Sequence, residues 1–266
     1  MLVTSIGQIS QKYSRISERD VQLSPLGKAI DNTQERTQAM RAIHSPLDRQ
    51  SRLSPPPAFR FHSVVHLLSG DSLGQVCETP LAFEERVVFG PRTQPTEVAN
   101  PAKWLSEQLT RIASATHGQP ASQRPILVPA PVASLAHANT AVACDAAIRR
   151  TSLCQQEVCL EFSDSAFAGG VSDYVSRVGH LRRHGFRVAI DMRRSWQTPL
   201  NDALRLLIDT IRVDARALET NGDLLDLVEV ADASGILIVA ENAHWRDGEY
   251  LANIGVHAAT RPRTDA

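Results

Sequence analysis

Long hydrophobic runs are missing from this sequence, and so is any excess of one charge. No stretch approaches the roughly 18 apolar residues of a membrane-spanning helix, so no membrane role is expected. The start, Met-Leu-Val-Thr-Ser-Ile-Gly, has no basic residues followed by an apolar stretch. It does not read as a secretory signal, and a cytoplasmic location is expected. Lys and Arg number 28 against 29 Asp and Glu, for a net charge of -1. No global basic field favours a nucleic-acid polymer. Cysteine is scarce: Cys77, Cys144, Cys154 and Cys159 form no Cys-x-x-Cys pair and have no histidine in zinc-ligand spacing. Free thiols in a reducing compartment are expected. There is no glycine-rich phosphate loop and no Gly-x-Ser-x-Gly nucleophile element.

What is present suffices for a core, since 42% of the 266 residues are hydrophobic. The composition shifts at Pro55-Pro56-Pro57. Residues 1–57 are rich in Gln, Ser, Arg and Asp, with Tyr13 the only aromatic. Such a segment buries too little apolar surface to offset its ordering entropy. It is expected to be a mobile tail, with Leu26 to Ile43 a helix that forms when something packs against it. Residues 58–266 are expected to fold as one domain.

That domain opens with two strands, Phe59 to Leu68 and Ser72 to Phe83, joined across Ser69-Gly70-Asp71 as a hairpin. The segment from Glu84 to Asn100 reads as irregular. Pro101 then starts a helix to Ala115. Strands at Ile126–Val132, Val158–Phe162, Arg187–Asp191, Ile211–Val213, Ile236–Ala240 and Val256–Ala259 alternate with helices. The helices are placed at Leu135–Arg150, Val171–Arg183, Leu200–Asp209, Asp223–Ala233 and Trp245–Asn253. Alternating strands and helices imply parallel pairing with right-handed crossovers. The expected fold is therefore α/β, a TIM-like (β/α) barrel in which the leading hairpin turns one strand antiparallel.

Acids stand at successive strand ends: Glu78, Glu161, Asp191, Asp214 and Glu241. In a parallel barrel those ends converge on one face, where side chains from several strands share a pocket. His62 and His66 alternate on the first strand and read as surface residues, and His184 reads as a helix C-terminal residue favoured by the dipole. Gly169-Gly170 reads as a turn.

The order of the flanking residues resembles the EAL domain of cyclic-di-GMP phosphodiesterases, over about residues 60 to 262. Leu160-Glu-Phe-Ser-Asp stands where the family has a Glu-Leu-Thr-Glu-like element, and Val188-Ala-Ile-Asp-Met-Arg-Arg-Ser where it has an Asp-Asp-Phe-Gly-Thr-Gly loop. Ile211-Arg-Val-Asp is similar to its Lys-Ile-Asp, Ile238-Val-Ala-Glu-Asn-Ala-His to its Ala-Glu-Gly-Val-Glu, and Glu78-Thr-Pro-Leu-Ala-Phe to its Glu-Ala-Leu-Leu-Arg-Trp signature. The resemblance implies a barrel of EAL type, shortened, whose carboxyl face binds cyclic-di-GMP. In the family two divalent ions, usually magnesium or manganese, polarise the phosphate and generate a hydroxide.

Several positions depart from the family's pattern. Its metal-binding Asn maps to Pro129, the second Asp of the loop to Met192, the lysine to Arg212, the second Glu of the late element to His244, and the signature Arg to Ala82. The late Gln-Gly element is absent, Gly255-Val-His-Ala-Ala-Thr-Arg-Pro standing in its region. Proline carries no side-chain ligand, and thioether sulfur is too soft for magnesium. The expectation is therefore a degenerate domain without hydrolysis, in which Glu78, Glu161, Asp191, Arg212, Asp214 and Glu241 are vestigial catalytic positions. Glu78, Glu161, Asp191 and Glu241 are the candidates for any retained metal, and no cofactor is expected unless activity keeps magnesium or manganese. Arg193, Arg194, Trp196 and Arg212 are the candidates for retained nucleotide binding. The leading functional expectation is a signalling or regulatory role exerted through a regulatory protein partner, with an apolar patch between Glu84 and Asn100 or near Trp104. A non-hydrolysing cyclic-di-GMP receptor is the alternative, a weak phosphodiesterase the third, and a homodimer stays open.

Overall fold

In the computed structural model of this chain, residues 59–78, 100–167 and 172–261 are described. The expected tail with its helix at Leu26–Ile43, the segment 79–99 with Ala82, and Gly169-Gly170 lie outside the described residues.

Eight strands close into a barrel in sequence order. They are β1 Arg60–His66, β2 Ser72–Glu78, β3 Ile126–Pro129, β4 Val158–Ser163, β5 Arg187–Asp191, β6 Thr210–Asp214, β7 Leu237–Glu241 and β8 Ala258–Arg261. Strand β1 runs antiparallel to both neighbours, β2 and β8, as the leading hairpin implied. All the other pairs are parallel.

The helices lie between the strands: α1 Pro101–Ala115, α2 Val132–Ala136, α3 Thr140–Ile148, α4 Ser172–Arg183, α5 Asp202–Arg205, α6 Ala215–Leu218, α7 Gly222–Ala233 and α8 Gly248–Asn253. Their starts follow from local chemistry. The Asn100 side chain accepts from the Lys103 amide at 2.9 Å, and Pro101 follows it where the missing N–H costs nothing. Asn221 does the same for α7 through the Leu224 amide at 3.1 Å. Helix α1 turns Leu105, Leu109 and Ile112 onto the barrel wall, all fully buried.

Alternation along the strands sorts the core into two layers. Val158, Leu160 and Phe162 of β4 face the helices in one hydrophobic cluster. Cys159 between them joins Val64, Val76, Leu127, Ala189, Val239 and Ala258 in a second cluster, the barrel interior. The same alternation carries Glu161, Asp191, Arg212 and Glu241 inward, toward the carboxyl end of that interior.

Some expected elements differ. The helix expected over Leu135–Arg150 breaks into α2 and α3, because Thr140 Oγ1 donates to the Ser134 carbonyl and ends the first helix early. The one expected over Leu200–Asp209 shrinks to α5, since the chain must return to the sheet, where the Asp209 amide donates to the Val188 carbonyl. The one expected from Trp245 begins as a 3-10 turn, Trp245–Asp247, before α8. The third strand stops at Pro129 rather than Val132. Cys77, Cys144 and Cys159 are buried and Cys154 exposed, all as free thiols. Burial pushes the Cys77 and Cys144 thiols up to about 12, so neither is a ready thiolate.

Candidate functional site

Arg212 is the largest fully buried side chain of the barrel, 2% exposed on β6. A guanidinium there stays charged and demands anions. Its Nη1 donates to Glu161 Oε2 at 2.6 Å, and its Nη2 donates to Glu241 Oε1. Arg193, two residues past the end of β5, meets the same acids from the rim. Its Nε and Nη2 donate to the two oxygens of Asp191 at 2.8 and 2.7 Å, and its Nη1 donates to Glu241 Oε2. The Arg193 amide also donates to Asp191 Oδ1 at 3.1 Å.

The result is one chain of contacts: Glu161, Arg212, Glu241, Arg193, Asp191. Three carboxylates face two guanidinia, and each oxygen of Glu241 carries one of them. Burial pushes the Asp191 carboxyl up, but the hydrogen bond and charge of Arg193 outweigh it and hold Asp191 below the usual carboxylate range. For Glu161, burial dominates over the pull of Arg212 and pushes its carboxyl upward. Burial works against the Arg193 charge, yet Asp191 and Glu241 prevail and raise its pKa further. Among the described residues, neither Glu161 Oε1 nor Arg212 Nε has a hydrogen-bond partner, although both atoms are buried.

The other expected positions are placed differently. Pro129 lies beside Glu161 in register and brings no side-chain donor or acceptor. Met192 is fully buried in the outer hydrophobic cluster, so the residue after Asp191 packs under the helices instead of entering the acid chain. Asp214 caps α6 by accepting from the Arg216 amide at 3.0 Å, and its other oxygen accepts from Asn242 Nδ2 at 3.0 Å. Asn242 has φ of 57°, the left-handed backbone that a glycine takes without penalty and asparagine tolerates. Glu78 is exposed on the far side of the mouth, with His62 Nε2 at 3.2 Å from its Oε2. His62 and His66, expected at the surface, are both half-buried, and His66 Nδ1 accepts from the Ser69 amide at 3.2 Å. His184 follows α4 and sets Nδ1 3.7 Å from Asp145 Oδ2. Arg194 and His244 are exposed, whereas Trp196 is half-buried against the core. Trp104 likewise is half-buried against the core cluster, and the segment expected to carry an apolar patch between Glu84 and Asn100 lies, but for Asn100, outside the described residues. Among the described residues, the exposed large hydrophobics are Leu68, Val142, Leu206, Val230 and Tyr250.

Sequence reasoning missed Asp164, which is fully buried after β4. It accepts from the amides of Gln197 and Thr198 at 2.8 and 2.9 Å and from the hydroxyls of Ser195 and Thr198. This carboxylate pins the segment that follows Arg193. The available signal was its spacing, three residues beyond Glu161, which puts a second acid where the strand leaves the barrel.

Beside the acid chain a cavity of about 430 Å³ opens at the mouth, lined by His62, Glu78, Arg216, Glu241, Asn242 and His244 among others. As they stand the acids do not fit a pair of divalent ions. Five of the six oxygens of Glu161, Asp191 and Glu241 accept from guanidinia. Among the described residues, no group of three His, Cys, Asp or Glu side chains is arranged to hold a metal ion. No helix among the described residues is long and apolar enough to cross a membrane.

No protein-family model matches the sequence, and no curated protein matches it. Solved structures do. The manganese and cyclic-di-GMP complex of BlrP1 from Klebsiella pneumoniae superposes with a TM-score of 0.62 at 16% identity, over 78% of this chain and 55% of that one. Bd1971, an EAL enzyme bound to cAMP and cyclic-di-GMP, gives 0.58 at 14%, over 85% and 64%. The PaMucR phosphodiesterase in complex with cyclic-di-GMP gives 0.55 at 18%, over 84% and 94%. The chain thus spans under two thirds of BlrP1 and Bd1971 but nearly all of the PaMucR chain. Closed topology, the antiparallel first strand and these superpositions agree: the chain folds as an EAL-like barrel.

Proposed function

We propose that this chain is a signalling protein whose EAL-like barrel does not hydrolyse cyclic-di-GMP and acts by contacting a regulatory protein partner. The observation that carries this reading is the pairing of Arg193 and Arg212 with Asp191, Glu161 and Glu241. A two-metal phosphodiesterase needs open carboxylate oxygens that bridge hard cations on both the attacking and the leaving side. Here guanidinia take those oxygens, Pro129 adds no ligand, and Met192 faces the core. Charge stabilisation of a phosphoryl transition state by metal is therefore not on offer, and the barrel has no cofactor requirement. The partner, and self-association as a homodimer, belong to the outer surface.

Calorimetric titration with cyclic-di-GMP, with and without magnesium or manganese, tests the reading when followed by chromatography for linear product. The expected result is neither heat nor product. Metal-dependent product overturns the reading. Binding without product makes the barrel a non-hydrolysing receptor, the second reading, which is favoured by the 430 Å³ cavity and by the exposed Arg194 on the rim. Sedimentation of the purified chain decides between monomer and homodimer.

A further inference from the structure

Apolar side chains scattered singly over a surface need no explanation, whereas a pair beside one hollow marks a place for something to bind. Leu68, Val142 and Tyr250 lie on separate elements: the leading hairpin, α3 and α8. Leu206 and Val230 do not stand apart in this way. Leu206, which follows α5, is 83% exposed, and Val230 on α7 is 39% exposed. A depression of about 280 Å³ is lined by Asp202, Arg205, Leu206 and Ser234, so it joins the end of α5 to the end of α7. Ser234 Oγ donates to the Val230 carbonyl at 2.7 Å, which puts Val230 one turn back on the same helix face. The two apolar side chains therefore flank one hollow. Helices α5 and α7 lead into β6 and β7, so this hollow lies at the amino end of the barrel, opposite the acid chain.

We propose that this hollow seats the partner protein through an amphipathic segment, whose apolar side chains meet Leu206 and Val230 and whose lysines or arginines meet the acids of α7. The proposal rests on the partner-binding reading above and names the surface which that reading leaves open. Charge selects the occupant. Helix α7 carries Asp223, Asp226, Glu229 and Asp232, and no Lys, Arg or His. Asp232 has a neighbour, its Oδ1 lying 3.1 Å from His257 Nε2. The other three are exposed and form no ion pair with a described residue. Asp223 and Asp226 share the flank of Val230 and Ser234, because the four follow one another at helical spacing. The negative end of the helix dipole lies here too, and the last turn of α7 has no basic residue to meet it. Across the hollow Arg205 is already held by Asp202, so the rim stays negative. A second copy seated by a twofold axis would set these acids against their own counterparts, and like charges repel. A basic segment gains from each acid while it covers the apolar pair.

The test titrates the full chain into a fluorescein-labelled amphipathic peptide of leucine and lysine, about 14 residues long, and into its leucine and glutamate counterpart. Fluorescence anisotropy reads the binding, and sedimentation reads self-association. Wild type is expected to bind the lysine peptide, with an affinity that falls as salt rises, and to leave the glutamate peptide free. Leu206→Glu and Val230→Glu are each expected to weaken binding about tenfold. Asp223→Lys combined with Asp226→Lys is expected to weaken it as much and to flatten the salt dependence. Val142→Glu, on α3, is expected to keep the wild-type affinity. Leu206 stands mostly in solvent, so its substitution spares the fold, and the α7 double variant probes the same surface by charge alone. Three results overturn the proposal. They are no binding by wild type, equal binding by wild type and the Leu206 and α7 variants, or a wild-type oligomer that Leu206→Glu dissociates, which makes a second copy the occupant. Linear product in the calorimetric experiment ends the non-hydrolysing reading without moving these affinities, so the two failures are told apart.

Discussion

At the scale of the residue, the energetics of the site turn on how deeply each arginine is buried. Breaking a buried ion pair by removing one partner strands the other charge, whereas an exposed pair contributes little. Arg212→Ala leaves the buried Glu161 without its partner and takes one guanidinium from the half-buried Glu241, so it is expected to cost about 3–5 kcal/mol in urea unfolding. Arg193→Ala is expected to cost well under half of that, because its side chain is partly hydrated. Equal losses for the two substitutions would refute the ranking. Protons report on the same network. The folded pKa of Asp191 lies below its unfolded value, so the stability it contributes is fully present above about pH 4 and is lost as pH falls through the folded value. Asp191→Asn should therefore flatten the acid limb of the stability curve below about pH 4. Glu161 has the opposite sign: its raised pKa favours the folded state at low pH, and that contribution is lost as pH rises through its folded value.

Elements are held in place by a few contacts that local propensity does not supply. The segment from Arg193 to Thr198 has no regular structure, yet it is fixed by a buried carboxylate. Asp164→Asn puts an amide donor where four donors converge, and it is expected to cost about 2–3 kcal/mol. Hydrogen exchange at the Gln197 and Thr198 amides should accelerate in that variant, and unchanged exchange would count against the clamp. The β2 strand depends on Gly74 in a different way. Its φ is +136°, and a Cβ there would stand 2.4 Å from the Pro125 carbonyl oxygen. Gly74→Ala is expected to cost at least about 2 kcal/mol by thermal melting, through strain in the strand that pairs with β3. Most element positions were legible from apolar spacing and caps, as Leu105, Leu109 and Ile112 show for α1. The short α5 was not, because nothing local says that the Asp209 amide must reach the Val188 carbonyl.

For the whole molecule, the barrel's closure and its charge balance are one problem. Closing eight strands brings the ends of β4, β5, β6 and β7 together, so their inward acids share one low-dielectric space. Arg193 and Arg212 bring positive charge to that concentration of acids. Exhaustive chelation should leave the wild-type Tm unchanged, and a fall of several degrees would show that a bound ion contributes to the fold. The antiparallel first strand closes the ring by pairing with β8, where His66 lies opposite Ala258.

The sequence by itself determined the barrel and the inward direction of its acids. Both follow from short-range regularities: period-two alternation in strands, helical spacing between them, and acids at the ends of five strands. It also carried the departures at Pro129 and Met192, since the absence of a ligand is a property of the residue. Only the tertiary structure decided what Arg193 and Arg212 do. On the sequence they stood as free cations for a phosphate. In the fold, Arg212 meets Glu161 and Glu241, which lie 51 and 29 positions away, and Arg193 meets Glu241 at 48. Such pairings depend on strand order and barrel closure, and a charge in a low-dielectric interior takes whichever opposite charge closure brings within reach.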